Sequence, residues 1–330
     1  MKNILYLTDK ASATSWYRCD VPGAALSKLG YGIKILNNYN QNDLEWCDVL
    51  VIERIYQIEV YNAVKWCNEH GRLTVFDIDD DYWNIHYTSP AFIPWHENGG
   101  DKLAQLAKMI QVCQKVTTTT PALATILRKF NSNVCVISNN LPDESWPYTL
   151  RPKKENGTIV IGWAGSVTHF VDLQQIFHTF TQVLDTYPQT EIHLTVASPE
   201  WFQPHERLIF PEAVETADYR ELLLTYDIGI APLADIKFNE SKSDLKVLEY
   251  AAVGLPIIAS KVITYNKAIV PGETGFLAKN SKNWLKYFKL LIEDAELRYQ
   301  MGINARAWVE DRMISNNIDK WIKAYNLDKD

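Results

Sequence analysis

No apolar run in the sequence approaches the roughly 18–20 residues that a membrane-crossing helix needs. The amino-terminal stretch MKNILYLTDK turns polar after Leu7, unlike a secretory signal. Cysteine is scarce: there are five, at positions 19, 47, 67, 113 and 135. The number is odd and no Cys-x-x-Cys pair occurs, which argues against a disulfide framework or a zinc knuckle and leaves buried thiols as the expectation. Positive charge is also short, with 33 Lys and Arg against 40 Asp and Glu and a net charge of -7. That balance offers no global attraction to nucleic acid or anionic lipid. Neither GxGxxG nor GKS/GKT follows a strand, which counts against the dehydrogenase fingerprint and the P-loop. The expectation from these absences is a cytoplasmic protein without a transmembrane segment, peripheral membrane contact staying open along the lysine-bearing stretch Lys102–Lys115.

What is present is an ordinary globular composition, 47% hydrophobic and 22% charged, over 330 residues. That length exceeds what one core usually fills and predicts two domains. Eleven Trp and seventeen Tyr are more than packing requires, and such rings stack well on sugars or bases. Short apolar runs at Asn3–Leu7, Gly32–Leu36, Asp48–Glu53, Arg72–Ile78, Val116–Thr119 and Val134–Ile137 alternate with helical stretches near 21–29, 58–70 and 101–113. Strands alternating with helices imply parallel βαβ units. A polar, Pro-containing stretch, Asn139–Gly157, breaks the rhythm, which then restarts with strands at Thr158–Gly162, Ile192–Ala197, Asp227–Ala231 and Pro256–Ser260. Asp218 and Glu221 have capping-box spacing before the third of these. The predicted fold class is therefore α/β, two Rossmann-like doubly wound domains facing a central cleft. The expected boundaries are 1–145, a linker over 146–157, 158–313, and a C-terminal helix over 314–330 that packs back on the first domain. Open α/β sheets bind ligands at the carboxyl ends of their strands, so both halves should present loops to the cleft.

Two motifs address that cleft. Gly162-Trp-Ala-Gly165-Ser166-Val-Thr168-His169 joins the first strand of the second half to a helix, and small residues with hydroxyls before a helix start suit a phosphate. A plain tight turn fits the residues equally well. Further on, Lys242, Lys246 and Glu249 share one face of a helix expected from near Ser243 to Gly254, opposite an apolar stripe of Leu245, Leu248 and Ala252. Read alone, this is a solvated face with a Lys–Glu pair. Read as a site, the lysines neutralise a diphosphate and Glu249 accepts hydrogen bonds from a ribose diol.

The run SKSDLKVLEYAAVGLPIIAS resembles the donor-binding signature of the GT-B glycosyltransferases of group 1, family 4, and IVIGWAGSVTH resembles the start of their C-terminal domain. Tyr226–Leu233 and the Gly272–Leu277 stretch, similar to a loop near the family's donor site, extend the likeness over most of 158–313. The resemblance implies transfer from a nucleotide-diphosphate sugar, a UDP- or GDP-sugar, to a carbohydrate or other hydroxyl acceptor, with retention and with no cofactor or metal required. It implies a donor site of Gly165, Ser166, Thr168, His169, Ser241, Lys242, Lys246, Leu248 and Glu249, with Glu249 on the ribose and Lys242 or Lys246 on the diphosphate. Two departures stand out. The family's Glu eight residues before the ribose-binding one is here Ser241, with Glu240 one place out of register. Its usual Arg and Lys after the first strand of the domain are replaced by Gly165–His169.

In the first half, Asp77, Asp79, Asp80 and Asp81 end a strand and open an aromatic loop containing Trp83 and His86. Carboxylates held this close must be compensated or must face a ligand. Asp77-x-Asp79 also has the form of a metal-binding pair; the preferred reading puts Asp79 or Asp80 on the acceptor hydroxyl. Asp79, Asp80 and Lys246 are the expected catalytic residues, and Arg18, Asp79, Trp83 and His86 the expected acceptor contacts. Other readings of the same architecture are a nucleotide-sugar epimerase, a non-catalytic nucleotide-sugar-binding protein and a phage-type transferase acting on DNA bases. The acidic net charge weighs against the last.

Overall fold

The computed structural model describes residues 1–9, 12–97, 101–148, 151–198 and 204–328. Lys10 and Ala11, in the segment after the first strand, and Thr149 and Leu150, in the expected linker, lie outside the described residues. The first sheet contains β1 (Asn3–Leu7), β2 (Gly32–Leu36), β3 (Val49–Glu53), β4 (Leu73–Ile78), β5 (Lys115–Thr118) and β6 (Val134–Val136). Its strands run parallel in the order β2-β1-β3-β4-β5-β6. Because side chains alternate across a pleat, each strand feeds two cores. Leu5, Leu7, Leu50 and Ile52 pack on one face, while Ile4, Tyr6, Val49 and Val51 pack on the other.

The second sheet contains β7 (Ile159–Ala164), β8 (Thr190–Thr195), β9 (Leu208–Ile209), β10 (Ile228–Ala231), β11 (Ile257–Ser260) and β12 (Gly275–Ala278). It too is wholly parallel, in the order β12-β11-β10-β7-β8-β9. Both sheets are the doubly wound, Rossmann-like kind expected from the alternation. Each reverses its winding once, between β1 and β3 in the first and between β7 and β10 in the second. Ligands of open α/β sheets gather at such reversals, outside the strands' carboxyl ends.

Several local expectations are corrected. β12 is an edge strand where Gly272–Leu277 reads as a loop; four residues carry too little pattern to separate a strand from one. Asp218 stands at the N-cap of the helix Tyr219–Leu224 but makes no side-chain cap, so the capping box with Glu221 does not form. The helix expected from Ser243 begins at Leu245, which leaves Lys242 on the approach to it.

Two chain segments connect the halves. One follows β6 and reaches β7; the other leaves the long helix Ala295–Val309 and enters the helix Ile318–Ala324, whose Trp321 packs in the core of the first sheet with Ile4, Tyr6 and Val51. The segments touch as they pass, with Leu141 bridging Met313 and Arg312 Nη2 donating to Asn139 O at 2.9 Å. Among the described residues no helix is long and apolar enough to cross a membrane.

The signature helix Leu245–Ala252 is held against Ala295–Val309 by backbone contact. Gly254, which ends it with φ of +68°, approaches Gly302 so closely that a Cβ on Gly302 would stand 2.1 Å from Gly254 O. Gly302→Ala should therefore force these segments apart and lower unfolding free energy by about 1–3 kcal/mol in chemical denaturation. An unchanged midpoint would show that the contact is slack.

Candidate active site

Between the sheets' carboxyl edges lies a cavity of about 480 Å³. The second half builds one wall from its own reversal point. After β7 the chain turns at Gly165 into Ser166, Thr168 and His169, and after β10 it presents Leu233. Gly165 is required there, since a Cβ would stand 2.6 Å from the Trp163 ring and 3.4 Å from Lys246 Nζ. The Ser166 and Thr168 hydroxyls are 2.6 Å apart at the cavity wall. His169 Nδ1 meets Asp172 Oδ2 at 2.7 Å, and Asp172 Oδ1 accepts from Ala234 N and Asn239 Nδ2, both at 2.7 Å. With Asp172 so anchored, the imidazole is fixed in orientation. Burial, with Lys242 and Lys246 nearby, lowers its pKa against the pull of Asp172, which favours the neutral ring.

The lysines lie beside this turn in different states. Lys246 donates to Ala164 O and sits 5.0 Å over the Trp163 ring. Burial lowers its pKa, and an approaching anion would act to raise it. Burial also opposes the charge of Lys242, yet Asp80 at 2.9 Å holds its pKa above the ordinary lysine value. Glu249 is 6% exposed. Its carboxylate oxygens accept separately from Tyr17 Oη at 2.7 Å and Tyr219 Oη at 3.1 Å. Burial raises its pKa, and Lys246 and the two hydroxyls act to lower it.

The first half supplies Asp79 and Asp80 just beyond β4, together with Thr14 from beyond β1 and Arg54 from beyond β3. Thr14 Oγ1 donates to Asp79 Oδ2 at 2.9 Å, whereas buried Asp79 Oδ1 has no hydrogen-bond partner among the described residues. Burial and the adjacent Asp80 raise the Asp79 pKa; for Asp80 the burial cost is outweighed by Lys242, and its pKa falls. The pair thus divides into an ionised, paired carboxylate and a more basic one whose Oδ1 is buried without a hydrogen-bond partner among the described residues.

Arg54 is the cavity residue that the sequence reading missed. It holds φ of 58°, a left-handed conformation that costs a non-glycine residue on the order of 1 kcal/mol. Its N–H donates to Asp77 O at 3.1 Å, which fixes it as an extension of the sheet. Its side chain reaches Glu53, Ser12 Oγ at 2.6 Å, Asp9 at 3.8 Å and Asp79 at 3.9 Å. Buried Glu53 is pushed up to about 7, against the lowering influence of Arg54 and Thr8.

Five expected contacts are corrected. Arg18 is among the residues around the cavity, but its side chain has no exposed area and is committed inward, fork-bonded to Asp77 at 2.9 and 2.8 Å and donating to Ile137 O at 2.6 Å. Its role is structural, and so is that of Asp77, whose Oδ2 also accepts from Thr117 at 2.6 Å. Ser241 is 2% exposed, its carbonyl taken by Thr120 Oγ1 at 2.9 Å, and Leu248 is fully buried in the core. Neither lines the cavity. Trp83 stacks on Phe130 with ring centroids 4.8 Å apart, and His86 packs on Tyr87 and bonds Thr88 Oγ1; neither ring lines the cavity. Leu245, assigned to the apolar stripe, does line it.

Two Rossmann-like sheets opposed across a cleft, with lysines, a helix-preceding turn and a buried glutamate on one wall, make up the GT-B architecture. Residues 158–294 match the family model described as Glycosyl transferases group 1. It is 27% identical over 243 residues to an uncharacterised glycosyltransferase of Haemophilus influenzae, covering 67% of this chain and 65% of the relative. It is also 27% identical over 178 residues to the D-inositol 3-phosphate glycosyltransferase of Corynebacterium efficiens, covering 48% and 41%. The matches thus span less than two thirds of either relative's length. Among solved structures, sucrose-phosphate synthase from Thermosynechococcus elongatus superimposes with a TM-score of 0.69 at 13% identity over 99% of both chains. Anabaena HepE in complex with UDP superimposes with a TM-score of 0.67 at 14% identity, covering 99% and 100%. At such identities the likeness is one of fold.

The Glu249 environment yields a pH prediction. A carboxyl whose folded pKa is raised contributes stability below its unfolded pKa, near 4.3, and loses it as pH rises through the folded value. Glu249→Gln should match the wild type in unfolding free energy near pH 4 and become progressively more stable than it toward pH 8. A constant difference across that range in denaturant titrations would contradict this environment.

Proposed function

We propose that the chain transfers a sugar from a nucleotide-diphosphate sugar to an acceptor hydroxyl, with retention at the anomeric carbon and without a metal. The observation that carries this reading is the convergence of Lys242, Lys246, the Ser166–His169 turn and Glu249 on one cavity that also holds Asp79. The tyrosine hydroxyls on the two oxygens of Glu249 occupy the positions a ribose 2′,3′-diol would take, so ribose would displace them. The diphosphate would lie along Lys246 and Lys242, drawing the latter from Asp80. Cations fixed beforehand where negative charge grows on the leaving group are the strongest catalytic device available to this site.

In the proposed step the bond from the anomeric carbon to the leaving phosphate oxygen breaks, and a bond to the acceptor oxygen forms. Asp79, whose buried Oδ1 lacks a hydrogen-bond partner among the described residues, receives the hydroxyl proton; its raised pKa suits it to that. Lys242 and Asp80 meet at 2.9 Å, so leaving group and acceptor would adjoin on one face of the sugar, the relation that retention needs. Independence of metal is supported by the engagement of both Asp77 oxygens with Arg18 and Thr117, which leaves no Asp77-x-Asp79 clamp. Within this proposal residues 1–145 bind acceptor, 146–157 link, 158–313 bind donor, and 314–330 return to the first half. The free state of all five cysteines supports a cytoplasmic location. The UDP complex of HepE makes uridine nucleotides the first donors to test, ahead of guanosine.

In a thermal-shift screen of UDP- and GDP-sugars, one donor should raise the melting temperature, and Glu249→Ala should lose most of that gain. Equal shifts in both proteins would remove the ribose assignment. Lys246→Ala should lower kcat by roughly 10²–10³, with product formed measured at saturating donor.

A further inference from the structure

The two walls of the cavity differ in electrostatic character, and among the described residues the acceptor wall offers one cation at the open space, Arg54, already ringed by carboxylates. Arg54 is the single basic residue of the first half at this wall among the described residues whose charge reaches the open part of the cavity, since Arg18 is committed inward to Asp77. Arg54 is surrounded by three carboxylates: Glu53 on Nε, Asp9 at 3.8 Å and Asp79 at 3.9 Å. Asp79 Oδ1, buried and without a hydrogen-bond partner among the described residues, is the oxygen that lies 3.9 Å from Arg54 Nη1. The ion pair that Asp80 makes is with Lys242 of the opposite wall, at 2.9 Å, with Arg54 and His169 acting on it from farther off. Resting on the donor reading above, diphosphate binding would draw Lys242 away, free the Asp80 carboxylate and add the diphosphate's own negative charge.

We infer that the acceptor subsite takes an uncharged polyol and rejects acceptors carrying a phosphate or carboxylate near the reacting hydroxyl. A sugar hydroxyl donates to Asp79 Oδ1 and completes that buried oxygen's bonding. A phosphate in its place brings only acceptor oxygens against Asp79, at a distance where like charges repel strongly in a partly desolvated site. Burying an anion without a partner carries a further desolvation cost that a hydroxyl does not. The remaining lining on this side, which includes Ala13, Tyr82, Ile85, Ser89, Ala91 and Asn139, brings no further positive charge. This sets the chain apart from its relative named for D-inositol 3-phosphate, a phosphorylated compound.

The test is saturation-transfer NMR on the full chain with matched probes: methyl α-glucoside against glucose 6-phosphate, and myo-inositol against myo-inositol 1-phosphate. Saturating UDP, or inorganic pyrophosphate in a parallel series, occupies the lysine wall so that a phosphorylated probe cannot bind there instead. The neutral member of at least one pair should be saturated at least tenfold more strongly than its phosphorylated partner, and Asp79→Asn should narrow that ratio severalfold. Equal or stronger saturation of the phosphorylated members overturns the inference. So does an absence of saturation at both members, or an unchanged ratio in Asp79→Asn. The uridine protons in the same spectra report separately on the donor reading: their silence would count against uridine as the donor base while leaving the probe comparison in pyrophosphate intact.

Discussion

The buried ion pair between Arg18 and Asp77 is the interaction on which the cleft's geometry rests. Two charges withdrawn from water are tolerated only when nearly every donor and acceptor is matched, and here the matching partners come from separate parts of the chain. Thr117 on β5 bonds Asp77, while the carbonyl of Ile137 and the side chain of Asn139, just past β6, bond Arg18. Trp321 of the returning helix lies against the guanidinium, 4.7 Å from ring centroid to carbon. One requirement for satisfaction therefore ties together the π-helical turn that bears Arg18, the carboxyl ends of three strands and the last helix. With Asp77 immobilised, the next residues of the same strand, Asp79 and Asp80, emerge into the cavity at a fixed height.

The same economy of placement explains how one cavity holds opposed chemistries. Each sheet reverses its winding once, and the loops at the reversal diverge, leaving room for side chains of neither sheet's core. From the second sheet this space receives amide-rich backbone and lysines; from the first it receives carboxylates. Direct links across the gap run from Lys242 to Asp80, where mutual pairing outweighs burial, and from Tyr17 to Glu249, where burial raises both pKa values. Such groups sit in a low-dielectric environment where exchanging one partner for a ligand changes their charge state as well as their contacts.

Much of this was legible in the sequence. Strands such as 49–53 and 228–231 are apolar runs bounded by turn residues, and buried parallel strands have that form because both faces are covered. The glutamate and lysines of the signature helix and the Gly165 turn were legible because helical spacing and small residues constrain what they can do. Other features were not. The Tyr17 and Tyr219 hydroxyls reach Glu249 from 232 and 30 residues away, and no local pattern marks a tyrosine for such a contact. Arg54 takes a backbone conformation that arginine has no sequence tendency to announce. Ser241 and Leu248 were placed by correspondence with a motif; one lies in a 3-10 turn and the other on the buried side of the helix. Trp83 and His86 resembled a sugar platform by residue type alone, and type does not separate a ring that packs on Phe130 from one that faces a ligand.

The paired crossing of Leu141 and Met313 has a mechanical consequence. Two bodies joined by a single strand of chain can swivel about it in any direction. Here two strands of chain pass side by side, bonded to each other by Leu141 N–H to Arg312 O, Ile314 N–H to Leu141 O and Arg312 to Asn139 O. A pair of adjacent pins acts as the barrel of a door hinge. It resists twist about the chain direction more than rocking about the line that joins the two crossings. Whatever width the cleft adopts, its two walls meet again in the same register.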